Sequence, residues 1–160
     1  MNRLQVQLGF ILILLGLLTG LAGPVVVSPR LGLAAHTVGI MGGLVLIALG
    51  ALAGAFALGP RAAAIMMGSW TYAAYANWLA CLLAAITGAS RLTPIAGAGT
   101  SGSRGAEAVV AFLLQSLAVA SIVGTGLAVW GFRERRTAGV RQPAATDALT
   151  PAVAKRLPEP

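Results

Sequence analysis

Charge is scarce in this sequence. Of its 160 residues, 9% are charged and 58% are hydrophobic. Soluble domains carry charge on about a quarter of their residues, so the composition excludes an ordinary soluble domain. The chain has 4 acidic residues against 11 lysines and arginines. No pair of carboxylates is spaced for general acid and base catalysis.

Cysteine and histidine are also nearly absent, with one of each, Cys81 and His36. One cysteine excludes an intrachain disulfide, and one cysteine with one histidine cannot build a metal cage from protein ligands. The sequence has no nucleotide-binding glycine loop and no catalytic triad. Any chemistry must therefore depend on a proton donor, hydrogen bonds and aromatic side chains.

Long apolar stretches dominate the chain, and four of them approach the roughly 20 residues that a membrane-spanning helix needs. They cover 8–27, 33–58, 62–89 and 109–132, and no alternating strand pattern competes with them. The sequence therefore predicts an all-α fold, a polytopic membrane protein with a four-transmembrane-helix bundle in 1–136. The Ala- and Pro-rich segment 137–160 predicts a flexible cytoplasmic tail.

The first stretch could be mistaken for a secretory signal. Its apolar run is long for a signal and Pro24 follows its small-residue triplet, so we interpret it as a retained first helix. With four spans, both termini and the loop between the second and third spans share one side of the membrane. Most lysines and arginines lie there, which predicts cytoplasmic termini. Contact with membrane lipids explains the net charge of +7 without a nucleic-acid partner.

Glycine is abundant, with 21 residues, and it recurs along single faces of the predicted helices. In the second stretch, Gly32, His36, Gly39 and Gly43 share one stripe. Such small-residue ladders let membrane helices approach closely, and plain packing explains most of them. We expect a homo-oligomer, because four short helices cannot easily enclose a polar pocket and cover both faces of the third span.

A tight turn at Gly59 and Pro60 joins the second and third stretches. Folding the chain there places His36 about level with 80–84, and Gly42 about level with Asn77, to within about one helical turn. A glycine-lined face then opposes an aromatic one. The Gly- and Ser-rich connection 90–107 is predicted to be a flexible loop.

The third stretch concentrates aromatic and polar side chains in the segment WTYAAYANWLAC. Lipid offers no hydrogen-bond partner, so Asn77 must face protein, water or a ligand. Trp70 and Asn77 lie on one side of the helix, with Tyr72 and Tyr75 nearly opposite. These side chains either bond neighbouring helices or form a ligand site. The same alternatives apply to His36, the natural proton donor or acceptor of the chain.

Two segments in this order resemble the hydroxylaminobenzene mutase family: SPRLGLAAHTVGIMGG at 28–43, and WTYAAYANWLACLLAAITGA at 70–89 followed by TPIAG. The resemblance covers about 8–100. Ser28 stands where the family has asparagine, and Ala73 and Ala74 also depart from its pattern. The resemblance implies an integral membrane enzyme that rearranges an aryl hydroxylamine to an aminophenol, mainly the ortho isomer. It also implies the inner membrane of nitroarene-degrading bacteria.

The resemblance implies roles for individual residues. We expect His36 to donate the proton with which the hydroxylamine oxygen leaves as water, or to remove the ring proton. Asn77 and Tyr75 are the other candidate catalytic residues, which would hold the nitrogen and the departing oxygen. An indole would face the cationic ring. The candidate substrate-binding residues are Trp78, Trp70, Tyr72, Gly39 and Arg30.

Two alternatives stay open. We expect no cofactor, but hydroxylamines coordinate iron, so haem with His36 as an axial ligand is the alternative to acid-base catalysis. The competing functional class is not enzymatic: a small oligomeric membrane scaffold, or a protein that handles protons or solutes.

Overall fold

The computed structural model describes residues 1–22 and 26–133. The secondary structure of this part of the chain consists of helices, with no strand. The predicted tail, 137–160, lies outside the described residues. Four helices are long and one is short, with a 3-10 turn at Ala53–Ala55. The α-helices are α1 (Arg3–Leu21), α2 (Pro29–Ala51), α3 (Pro60–Thr87), α4 (Pro94–Gly97) and α5 (Arg104–Gly131).

Three of the long helices, α1, α2 and α5, are long and apolar enough to cross a membrane. This confirms the class of all-α membrane protein that the composition predicts. The fourth long helix, α3, has 28 residues, as α5 has. It is less apolar than the other three because polar side chains such as Thr71 and Asn77 interrupt its aliphatic residues.

Proline and glycine set the ends of the helices. Pro29 and Pro60 lie in the first turns of α2 and α3, where a missing N–H costs no helical hydrogen bond. Gly88 ends α3 in the left-handed conformation, with φ 74°. The second predicted span runs to residue 58, whereas α2 ends at Ala51 and the chain then turns toward α3.

The helices pack in the order of the chain: α1 on α2, α2 on α3, and α3 on α5, with a smaller contact between α1 and α3. The α2–α3 pair is antiparallel, because the Ser28 N–H donates to the Ala85 carbonyl and Gly42 lies against Ala74. Gly42 was predicted to lie level with Asn77 and lies against Ala74, so the alignment of α2 with α3 agrees with the predicted hairpin to within one helical turn. The α3 helix therefore lies between two helices that can each span a membrane.

Close backbone contact holds α1 against α2. A Cβ built at Gly9 would lie 2.6 Å from the Gly43 carbonyl oxygen, and one built at Gly43 would lie 2.5 Å from the Gly9 carbonyl oxygen. A second contact joins Gly39 to Gly16, where a Cβ on Gly39 would lie 2.8 Å from the Gly16 Cα. Only glycine allows this approach, as the small-residue ladder predicts.

The connection between α3 and α5 is more ordered than its composition predicts. The Glu107 carboxylate accepts backbone N–H groups from Ser90 and Arg91, each at 3.0 Å, and from Gly102 at 3.1 Å. The Ser90 hydroxyl also donates to the Thr100 carbonyl. The carboxylate thus ties both ends of this loop to the first turn of α5.

We predict that Gly43→Ala destabilises the α1–α2 pair by about 1–3 kcal/mol, because the added methyl group meets the Gly9 carbonyl. The measurement is the free energy of unfolding in mixed detergent micelles. Gly126→Ala is the matched control, since a Cβ at Gly126 meets no atom within 4 Å. Equal stability of the two variants would contradict a close α1–α2 backbone contact.

Candidate active site

His36 lies on the face of α2 that packs against α1. Its Nδ1 is 2.9 Å from the carbonyl oxygen of Gly16. Because a carbonyl oxygen can only accept, Nδ1 carries the proton of this bond. A Cβ at Gly20 would lie 2.6 Å from Nδ1, so the absence of a side chain at Gly20 admits the ring. Among the described residues Nε2 has no hydrogen-bond partner, and it is the nitrogen that can exchange a proton.

An apolar groove of about 570 Å³ runs between α1 and α2 beside His36. The imidazole is the one titratable group in the lining that the structure describes. A flat apolar molecule in this groove would therefore meet a single proton-exchanging group. No lining residue belongs to α3 or α5; the lining residues are Leu17, Gly20, Leu21, Pro29, Gly32, Leu33 and His36.

Trp78 of α3 reaches across to α1. Its Nε1 donates to the Thr19 hydroxyl at 3.0 Å, and that hydroxyl donates to the Leu15 carbonyl at 2.7 Å. The ring edge covers Gly39, where a Cβ would lie 3.0 Å from the Trp78 Cδ1. Trp78 and Gly39 therefore lie together where α1, α2 and α3 meet, and the Trp78 N–H serves helix packing.

The two tyrosines of α3 bond different neighbouring helices. The Tyr75 hydroxyl donates to the Leu8 carbonyl of α1 at 2.8 Å. The Tyr72 hydroxyl lies 2.6 Å from the Ser116 hydroxyl of α5, and the Tyr72 side chain is 43% exposed. Both hydroxyls are engaged in bonds between helices.

A second opening, a cleft of about 200 Å³, lies between α2 and α5 with α3 as its floor. Trp70 and Asn77 both line it. The Trp70 Nε1 is buried and has no hydrogen-bond partner among the described residues. The Asn77 Oδ1 has one weak contact, with the Cys81 thiol at 3.9 Å.

The structure divides the predicted site residues into separate groups. His36 borders the α1–α2 groove, Trp70 and Asn77 border the cleft, and the two openings share no lining residue. Within the described part of one chain, His36 therefore does not share an opening with Trp70 and Asn77. Arg30 lies exposed in the first turn of α2, outside both linings.

The sequence analysis missed a buried polar contact on α1. Gln5 is 3% exposed, and its Nε2 donates to the Thr71 hydroxyl at 2.9 Å and to the Met67 carbonyl at 3.4 Å. A glutamine in the first turn of an apolar helix is a weak signal, because that position can equally reach the lipid headgroups. The contact joins α1 to α3 in register.

Similarity to known proteins defines the class of this helical membrane protein. Residues 1–133 match the family model described as styrene oxide isomerase. The protein is an isomerase, and three of its described helices are long and apolar enough to cross a membrane. It belongs to the styrene oxide isomerase family.

One curated relative is closely similar. The chain is 44% identical over 132 residues to hydroxylaminobenzene mutase HabB of Ectopseudomonas oleovorans. The aligned region covers 82% of this chain and 80% of that relative. This confirms the resemblance predicted from the segments at 28–43 and 70–89, and with it the prediction of an enzyme. No solved structure matches the chain.

We predict that Thr19→Val lowers the free energy of unfolding by about 1 kcal/mol, because it leaves the Trp78 N–H without an acceptor between helices. The measurement is a denaturation curve in micelles. Thr37→Val is the matched control, since Thr37 is exposed and its hydroxyl bonds only the Leu33 carbonyl of its own helix. A loss of equal size in both variants would contradict a stabilising bond to Trp78.

Proposed function

We propose that this isomerase rearranges hydroxylaminobenzene-type aryl hydroxylamines to 2-aminophenols within the membrane. The observation that carries the proposal is the position of His36, which offers Nε2 beside an apolar groove while Nδ1 is held by the Gly16 carbonyl. The 44% identity to a hydroxylaminobenzene mutase supports the choice of substrate class.

The reaction needs a proton donor and then a proton acceptor. The hydroxylamine oxygen leaves as water when it takes a proton, and the ring then carries the positive charge. A water molecule, the one that left or another, bonds the ortho carbon and gives up one proton, which replaces the proton donated at the start. The proton on that carbon then moves to the nitrogen, which restores the aromatic ring, so substrate and product are isomers. A single imidazole can serve both steps, donating from Nε2 and then accepting there. General acid-base catalysis of this kind contributes about two to four decades in rate.

The groove suits a flat substrate. Apart from His36, the described lining residues are apolar, so an aromatic ring can pack against them. The apolar lining limits bulk water around the cationic intermediate. We assign the acid-base role to His36 and none to Tyr75, because the Tyr75 hydroxyl already donates to the Leu8 carbonyl.

We propose that α3 is the fourth span. Its 28 residues would extend about 42 Å, more than the roughly 30 Å thickness of a bilayer core. It packs on α2 and on α5, which are both apolar enough to span. Its polar side chains bond helices rather than lipid, through Thr71 to Gln5 and through Tyr72 to Ser116.

Four spans in the bacterial inner membrane would place both termini in the cytoplasm. The arginine-rich run after α5 and the bulk of the positive charge then lie on the cytoplasmic side, where anionic lipids attract them. We also propose a homo-oligomer, because among the described residues the groove beside His36 is lined by α1 and by 29–36 at the start of α2, and it can be covered by another copy.

We predict that membranes containing the protein convert hydroxylaminobenzene to 2-aminophenol, and that His36→Ala lowers this rate by about 100-fold or more. The measurement is product formation by liquid chromatography, normalised to inserted protein. Thr37→Ala, an exposed neighbour on the same helix, is the control and should keep the rate. A full rate in His36→Ala would contradict the acid-base role, even with the activity present.

The same assay tests the non-enzymatic alternative. A membrane scaffold or a solute-handling protein would leave hydroxylaminobenzene unchanged. Under that alternative, His36→Ala would alter assembly or transport alone.

Haem-assisted catalysis is a second candidate mechanism, and the hydrogen bond from the His36 Nδ1 to the Gly16 carbonyl favours it. Histidines that bind metals usually donate their other ring nitrogen to a carbonyl or carboxylate, which is the geometry of His36. No group of three His, Cys, Asp or Glu residues in 1–22 and 26–133 could hold a metal ion, so His36 is the residue that would hold the haem iron. Bound iron would supply a Lewis acid for the departing oxygen.

An absorption spectrum of the purified protein distinguishes the two arrangements. Under haem ligation, the wild-type protein shows a Soret band and His36→Ala loses or shifts it. Under acid-base catalysis by the protein alone, an active preparation shows no Soret band.

A further inference from the structure

We infer that Glu107 is a positioning residue for the groove beside His36. By fastening the connection between α3 and α5, its carboxylate holds the first turn of α2, and that turn forms one wall of the groove. Glu107 is outside the described lining of the groove, so it acts through the segments that it holds. The effect on turnover rests on the proposed function, whereas the effect on the position of α2 does not.

The Glu107 carboxylate closes the connection at both ends. Its Oε1 accepts the Ser90 and Gly102 N–H groups, and its Oε2 accepts the Arg91 N–H. Hydrogen bonds to an ionised acceptor are about twice as strong as those between neutral groups. Because Ser90 follows α3 and Gly102 precedes α5, one side chain fixes the two ends of the connection together. Without the carboxylate, three backbone N–H groups would need other acceptors.

The connection also packs tightly on itself. The Ser90 hydroxyl donates to the Thr100 carbonyl, and the Thr100 hydroxyl donates to the Gly97 carbonyl at 2.8 Å. A Cβ added at Gly97, the last residue of α4, would collide with the Ser90 side chain. These contacts fix α4 relative to the residues that the carboxylate binds.

The short helix α4 in turn packs on the start of α2. Leu31 is 2% exposed and belongs to an apolar cluster that includes Ala85 of α3 and Val110 of α5. Ala96 of α4 packs against this cluster, and α4 contacts α2 directly. The first turn of α2 is therefore covered by the connection that the carboxylate closes.

The residues just before α2 meet the same connection. A Cβ at Gly88 would lie 3.4 Å from the Val27 side chain and 3.5 Å from the Ser101 carbonyl oxygen. The Ser28 N–H donates to the Ala85 carbonyl at 3.0 Å. The chain thus enters α2 between the end of α3 and the connection, and both hold it in place.

The opposite side of this turn is a wall of the groove. Leu31 faces the apolar cluster. Three of its neighbours line the groove: Pro29, Gly32 and Leu33. His36 lies about one turn beyond Gly32, and its ring is held by a carbonyl of α1 instead. Release of the first turn would therefore shift the wall that contacts a substrate and leave the imidazole in place.

The first test is the rate at which the full chain in membranes converts hydroxylaminobenzene, measured over a range of substrate concentrations. We predict that Glu107→Ala raises KM about 3- to 10-fold and leaves kcat within about twofold, because it disturbs substrate binding and not the proton-exchanging ring. A merely structural role would reduce the amount of folded protein, which lowers Vmax and leaves KM unchanged. Glu107→Gln keeps one oxygen for the Ser90 and Gly102 N–H groups, so its KM should fall between the two.

Ser103→Ala is the matched control. The Ser103 side chain is exposed, and its hydroxyl accepts the Ala106 N–H at 3.2 Å as the N-cap of α5. The substitution weakens the same helix end but removes none of the three bonds to the connection. We expect its KM to equal that of the wild-type protein.

The second test needs no turnover. Hydrogen–deuterium exchange of the full chain in micelles, read by mass spectrometry, follows the backbone amides of 26–33. These include the Ser28 N–H, bonded to the Ala85 carbonyl, and the Gly32 N–H, bonded to the Ser28 carbonyl. We predict that Glu107→Ala speeds exchange in this segment about 5-fold or more, and that Ser103→Ala leaves it unchanged.

Unchanged exchange in 26–33 of Glu107→Ala would overturn the inference, whatever its stability. Faster exchange with an unchanged KM would overturn the link between α2 and the groove. Equal effects of Glu107→Ala and Ser103→Ala would reduce Glu107 to a helix cap. If the wild-type protein leaves hydroxylaminobenzene unchanged, the proposed function is wrong, and exchange alone decides whether Glu107 positions α2. If Glu107→Ala does not insert, Glu107→Gln replaces it in both comparisons.

Discussion

The backbone contact between α1 and α2 is the constraint on which the rest of the structure depends. Lipid gives apolar helices no reason to associate, so close approach and dispersion must hold them together. Gly9 meets Gly43 and Gly16 meets Gly39, with no side chain between them. The same approach brings the Gly16 carbonyl within reach of His36 and leaves Gly39 free for the Trp78 ring. The geometry of the imidazole therefore follows from helix packing.

Most of the polar side chains on α3 bond neighbouring helices. Thr71, Tyr75 and Trp78 all reach α1, and Tyr72 reaches α5. These bonds keep α3 in register between α2 and α5, because each polar group has its partner at one depth only. Neither the Trp70 N–H nor the Asn77 carboxamide has such a bond among the described residues, and both residues line the same cleft.

The sequence predicts the helices and the α2–α3 hairpin well, because apolar length, Pro29, Pro60 and the glycine ladder act locally. It does not predict how the site residues group together. A helical wheel gives the face of a residue but not the helix that covers it, and α1 covers part of α3 as well as α2. The sequence does not predict that Glu107 orders the 90–107 connection, because its hydrogen-bond partners lie up to 17 residues away along the chain.

The partners of α3 have a consequence for how the chain is made. Gln5, Leu8 and Thr19, which bond its polar side chains, all belong to α1, which is synthesised before α3. A ribosome therefore delivers these groups to the translocon before the least apolar long helix emerges. The polar side chains of α3 therefore find their partners on a helix that already exists when α3 is made.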